Sequence, residues 1–262
     1  MKIYNYSLLT LLSLMLLVAC SHTKTGIDDD LSSRFEKGIA YFNNKQYKKS
    51  QQEFDYIVMN NPGSRLAVDA QYYLSESLFN SKKYIEASVA YENYIRYSND
   101  IEKIEASRFR ICECAIETSM DYQKDQQSTL NALDRLQEFI EDFPDSKWTT
   151  KAMGEIIKIR SKLALKLYET GRLYLKLEEY ESARIYFQQV VDNYYDTPIA
   201  DDAKIEIMFS YILNEARDSA ESYFRLNNNN FTSEDKLKEA RLILQNTSNG
   251  KMTMNEYIRL YK

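Results

Sequence analysis

The stretch GIAYFNNKQYKKSQQEFDYIVMNNP, residues 38–62, decides the fold. Gly38 and Tyr41 stand three apart. Tyr47, Ser50 and Phe54 follow as an aromatic, a small residue three later, and a second aromatic four later. Residues three and four apart share a helix face, so this is the spacing of two helices that cross closely. A small residue is needed where they touch: Gly38 on one side, Ser50 on the other. Pro62 closes the stretch, because proline cannot continue a helix.

The pattern recurs. It returns as Tyr84, Ala87, Tyr91 and as Tyr180, Ala183, Phe187, with weaker copies at Thr129, Ala132, Leu136 and Arg217, Ala220, Phe224. Gly171 and Tyr174 repeat the opening pair. A second pattern sets a proline or its stand-in before a capping residue and an alanine. It reads Pro62, Ser64, Ala70; Ser98, Asp100, Ala106; Pro144, Ser146, Ala152; and Tyr195, Thr197, Ala203. Ser, Thr and Asp cap helices because their side-chain oxygens take an orphan amide hydrogen. Units that cannot bury their apolar faces alone must stack. The spacing lengthens in the middle, which predicts an insertion at Asp121–Ser128 and a long helix from about Ser146 to Leu177. Thr232-Ser233-Glu234-Asp235 suits a helix N-terminus, and Leu237, Ala240, Leu242, Ile243 and Leu244 make that last helix an amphipathic cap.

Composition agrees with an all-α chain. Its 262 residues include only 6 Gly and 3 Pro, too few turn residues for a sandwich or barrel. Hydrophobic residues at 44% and charged residues at 28% are globular values. Acidic residues outnumber basic ones, 39 to 34, for a net charge of -5, which argues against a nucleic-acid partner. With one His, neither a histidine metal site nor a Cys/Ser–His pair is expected, and no cofactor is implied. There is no Gly-rich phosphate loop, no Gly-x-Ser-x-Gly and no His-Glu-x-x-His. Adjacent acids such as Asp28-Asp29-Asp30 are ordinary on solvated faces. The chain reads as a non-enzyme.

The N-terminus reads as an address. Lys2 precedes the apolar run Leu8–Ala19, which is short for a membrane span and fits a secretory signal. It ends Leu17-Val18-Ala19-Cys20, similar to the bacterial lipobox. Residues 1–19 are then a lipoprotein signal peptide, Cys20 the acylated mature terminus, and residues 20–30, with His22, a polar tether. More than one acyl chain is what stable anchoring needs. The two remaining cysteines, Cys112 and Cys114, are two apart on a helix and do not face each other. They are expected to be core thiols rather than a disulfide or a metal site.

These features together resemble the tetratricopeptide repeat and, within it, the BamD family of outer-membrane assembly lipoproteins. The segment Phe143-Pro144-Asp145-Ser146-Lys147-Trp148 through Ala152 is similar to the family's aromatic-Pro-Asp/Asn-Ser-x-aromatic stretch. Asn61-Pro62-Gly63-Ser64 with Ala67 and Ala70 is similar to its second-unit entry, and Asp196-Thr197-Pro198 with Asp202-Ala203 to its fifth. The resemblance implies a tetratricopeptide-repeat α-solenoid of about five helix pairs over residues 31–230, capped by a C-terminal helix and tail over 231–262. It also implies a scaffold, anchored by lipid in the outer membrane on its periplasmic side. Its partners would be an Omp85-type barrel assembly subunit, unfolded outer-membrane β-barrel substrates and other assembly lipoproteins. Where the family has a basic contact to the barrel subunit, this chain has Asp201 beside Asp202. These two are the candidate partner-binding residues, with that contact replaced or inverted in sign. Another cell-envelope scaffold, serving peptidoglycan or gliding or secretion machinery, is the alternative.

In tetratricopeptide units the second, fifth, ninth and twelfth positions of the first helix line the inner face. Counting from Leu31, Val68 and Ile104, these positions give a substrate groove of Phe35, Ile39 and Phe42, then Tyr72, Glu76 and Phe79, then Arg108. Such a cradle suits an extended apolar-aromatic segment. Plain core packing fits the same spacing, and a solvated ion pair fits Arg108.

Overall fold

Phe54 and Phe187 are both fully buried, and each ring lies against a glycine of the preceding helix. A Cβ on Gly38 would stand 2.8 Å from the Phe54 ring, and one on Gly171 2.7 Å from the Phe187 ring. Carbon atoms pack best at about 3.5–4.0 Å, so these crossings leave room for hydrogen alone. Ser50 supports the first crossing. Its hydroxyl donates to the Gly38 carbonyl at 3.1 Å and meets the Ser77 hydroxyl at 3.0 Å. Ala87, Ala132, Ala183 and Ala220, the small positions of the other copies, are all fully buried.

The computed structural model describes residues 23–247 and 252–260. The signal segment, Cys20 and His22 lie outside them. Every regular element among the described residues is a helix: α1 (Thr23–Asn43), α2 (Tyr47–Asn60), α3 (Arg65–Asn80), α4 (Tyr84–Tyr97), α5 (Ile101–Thr118), α6 (Gln127–Asp142), α7 (Thr149–Lys176), α8 (Tyr180–Asn193), α9 (Ile199–Leu213), α10 (Arg217–Asn227), a 3₁₀ turn (Asn228–Asn230), α11 (Glu234–Asn246) and α12 (Met254–Leu260). None is long and apolar enough to cross a membrane. The helices divide into two compact units, parted between Thr118 and Ser119. In the first, α1 to α5 pack in succession, and α1 also meets α3. In the second, α6 to α10 pack in succession, α7 also meets α9, and α11 covers α9 and α10. The chain is all-α over the described residues, built from helices that pack on one another in succession.

Several details depart from expectation. Helix α1 starts at Thr23, inside the stretch read as a tether, and Arg34 reaches back one turn to Asp30 at 3.1 Å. Ser64 and Asp100 cap as expected, accepting from the Ala67 and Lys103 amides. Ser146 and Thr197 do not cap. The Ser146 hydroxyl accepts from the Trp148 amide, the Thr197 hydroxyl donates to the Tyr194 carbonyl, and the helices begin later. The last 30 residues hold α12 as well as the expected cap. Four hairpin turns place Lys45, Lys82, Glu178 and Glu215 at positive φ near 60°. That region costs an ordinary residue roughly 1–2 kcal/mol, and nothing in these side chains announces it.

Candidate functional site

Helices α1 and α3 carry the aromatic residues that the sequence placed in the first groove. Phe35 meets Phe54 edge-on at 5.5 Å and Tyr73 at 5.9 Å. Phe42 meets the same Tyr73 at 5.7 Å and Tyr47 at 5.7 Å. Tyr73 stacks on Phe54 at 5.5 Å and touches Tyr72 at 5.6 Å. Phe35, Phe42, Tyr72 and Tyr73 are half-buried, so each ring is rooted in the core and keeps part of its surface in solvent. Ile39 is half-buried too, packed on the cluster of Leu31, Phe54 and Ile57. Tyr73 joins the parts of this row. The inner-face positions do not name it, because it lies one residue beyond Tyr72.

Tyr72, Glu76 and Phe79 follow one face of α3, and a basic row from α5 lies over them. Lys103 sits 5.3 Å from the Tyr72 ring centre. Arg110 lies over the Phe79 ring at 4.5 Å, donates from Nε to Glu76 Oε1 at 3.2 Å and pairs with Glu113 at 2.9 Å. Glu76 is buried and also accepts the Tyr91 hydroxyl at 2.6 Å. Its carboxylate is therefore spent inside the protein. Burial, reinforced by Glu76, pushes the Tyr72 phenol up to about 12. Burial likewise keeps the Tyr91 phenol protonated.

Arg108 is exposed on α5. The guanidinium over this face belongs to Arg110, more than half a turn around the helix. The inner-face count from Ile104 is thus displaced on α5. Cys112 and Cys114 are buried free thiols, as expected of core residues, and burial pushes Cys114 up to about 12.

In the second unit, Asp201 corrects the sequence reading. It is 1% exposed. Its carboxylate takes the Lys204 ammonium at 2.8 Å, the Thr232 amide at 2.9 Å, and the Thr232 hydroxyl and Ser233 amide at 2.8 Å each. Burial raises its carboxyl, but these donors outweigh burial and hold it below its ordinary range. Lys204 is buried as well and donates to the Asn230 carbonyl. An anion at the start of α11 is where amide hydrogens point outward, so Asp201 fastens α11 and is not free for another protein. Asp202 pairs with Lys236 of α11 at 2.8 Å. Both acids hold the cap.

A second inner face lies between α7 and α9. Counting from Gly171 as from Gly38, Tyr168 stands where Phe35 stands and Arg172 where Ile39 stands. Tyr168 donates to Glu206 of α9 at 3.2 Å. Glu206 is 6% exposed, and burial raises its carboxyl. Among the described residues no cluster of His, Cys, Asp or Glu could hold a metal ion.

The chain is 27% identical over 194 residues to a Rickettsia prowazekii protein named outer membrane protein assembly factor BamD, covering 74% of this chain and 77% of the relative. Solved structures similar to it include a MamA RS-1 double mutant, with TM-score 0.35 and 12% identity over 83% of this chain and 98% of that one. Another holds TPR-like repeats of a Podosopora anserina kinesin light chain, with TM-score 0.34 and 14% identity over 84% and 96%. A family model described as YfiO, outer membrane lipoprotein, matches residues 27–227. The chain belongs to the YfiO family of outer membrane lipoproteins.

Proposed function

We propose that the chain is a non-catalytic scaffold of the machinery that inserts β-barrels into the outer membrane. It is held to the periplasmic face of that membrane by acyl chains on Cys20. The first unit receives apolar-aromatic segments of unfolded barrel substrates, and the second unit holds the Omp85-type barrel subunit. One observation supports the substrate assignment: the half-buried aromatics Phe35, Phe42, Tyr72 and Phe79, with Lys103 and Arg110 beside them. Aromatic side chains are enriched at protein interfaces and among their anchors. Family membership and the name of the Rickettsia relative support the pathway.

Affinity purification of the tagged chain from detergent-solubilised membranes tests the reading. An Omp85-type subunit should co-purify, and Cys20→Ala should release the mature protein from the membrane or leave an uncleaved precursor. Recovery of peptidoglycan-synthesis, gliding or secretion proteins in place of the barrel subunit would move the chain to another envelope scaffold. Undiminished membrane association of Cys20→Ala would remove the anchor.

A further inference from the structure

Helix α12 packs on the core of the second unit. Its Tyr257 is 2% exposed and meets Phe209 of α9 edge-on at 5.1 Å. The Tyr257 hydroxyl lies 2.8 Å and 2.6 Å from the two oxygens of Glu206. Met252, Met254 and Ile258 pack beside it, half-buried, while Asn255, Glu256 and Arg259 are exposed. A seven-residue helix is far below the 12–15 residues at which an isolated helix becomes even marginal in water. Its order therefore comes from the surface that it touches. Only Ser248-Asn249-Gly250-Lys251 separate Thr247, which follows α11, from Met252.

We propose that α12 is a detachable intramolecular ligand, and that the α7–α9 face beneath it is a docking surface for a partner segment of the same chemistry. That segment is a short amphipathic helix with a tyrosine between aliphatic side chains. Glu206 carries the argument. It sits under Tyr257 with Tyr168 as its other hydroxyl donor, and the Arg172 charge attracts the same carboxylate. When α12 leaves, this buried carboxylate loses the donor at 2.6 Å. Water can take that place while the face is open, but a buried acceptor left short of donors is costly, so a partner that covers the face again must bring a donor to that point. An aliphatic segment alone would not supply it. The short connection gives α12 an effective concentration on the order of millimolar. If α12 itself has an intrinsic Kd of about 0.1 mM for this face, any partner would bind the native chain about tenfold more weakly than a chain with α12 displaced.

The probe is a synthetic peptide copying residues 252–262, titrated against the full native chain and the full-length Tyr257→Ala variant. The peptide should bind Tyr257→Ala at least tenfold more tightly than the native chain, and a peptide carrying Tyr257→Phe should bind the variant more weakly. A folded Tyr257→Ala that binds no peptide would make α12 an integral part of the core. Equal binding to both chains would place the peptide elsewhere. Either result overturns the proposal. Hydrogen exchange on the native chain decides the matter if Tyr257→Ala does not fold. The α12 amides should open while α9 stays protected, and exchange of both in one global event would overturn the proposal.

Discussion

At the scale of single residues, two glycines and two phenylalanines set how closely the helices cross. Gly171→Ala tests this. Alanine favours a helix by about 1 kcal/mol over glycine, so a surface glycine would gain from the change. Here the new methyl meets a fully buried ring at 2.7 Å, and overpacking costs roughly 1–3 kcal/mol. The net result should be a lower Tm, partly restored by Phe187→Leu in the same chain. A single variant as stable as wild type would mean that the crossing is looser than drawn. This much was legible in the sequence, because Gly38 and Gly171 each sit a fixed distance before their phenylalanine. The positive φ of Lys82 and Glu178 was not legible. A left-handed residue is announced by glycine or asparagine, and these turns use lysine and glutamate, with their neighbours over-determining the backbone. Tyr73 was missed for a related reason: periodicity assigns each residue to one face, and this large ring reaches from the edge of its face to join two others.

At the scale of elements, the instructive case is Asp201. Sequence reasoning compared it with a family contact and made it a candidate partner-binding residue, but a charged residue can be buried when it is paired. Its partners stand on residues 204, 232 and 233, and only the folded chain brings the last two near. Asp201→Asn keeps the shape but leaves Lys204 charged and buried without its counter-ion. Breaking such a pair costs about 3–5 kcal/mol, and the loss should appear as a lower urea midpoint with α11 amides exchanging early. The pH dependence has a definite sign. The folded carboxyl lies below its unfolded value, so its stabilisation is complete above the unfolded value of about 3.9 and fades as pH falls through the folded one. The wild type should therefore lose α11 protection in acid, and Asp201→Asn should have a flatter acid limb. A substituted chain with wild-type stability and an unchanged acid limb would show that α11 is held by its apolar face alone.

At the scale of the whole molecule, the two compact units separate the two proposed tasks, and this separation can be measured. The sequence showed the repeats but not the division. Asp121–Ser128 read as an insertion in the repeat array, whereas α5 belongs to the first unit and α6 to the second. Repeat spacing records which helices are alike, not which are packed together, so that boundary had no signal in the pattern. Consider Phe42→Ala with Phe79→Ala, both in the first unit. Phe42 touches Tyr47 and Tyr73, and Phe79 touches Tyr84 and Arg110. Both are half-buried, so each should cost less stability than the 3–5 kcal/mol of a fully buried phenylalanine truncation, for which Phe54→Ala is the control. If they anchor substrate, each is worth about 2 kcal/mol of binding. The pair should then weaken a peptide copying a barrel protein's final strand by over a hundredfold. Binding of the barrel subunit, assigned to the second unit, should change little. If these rings are core alone, the order reverses: the melting temperature falls as far as in Phe54→Ala, and every partner suffers alike. A well-folded double variant with undiminished peptide affinity would exclude the α1–α3 face as the substrate site, and the row of rings would then stand as packing between repeats.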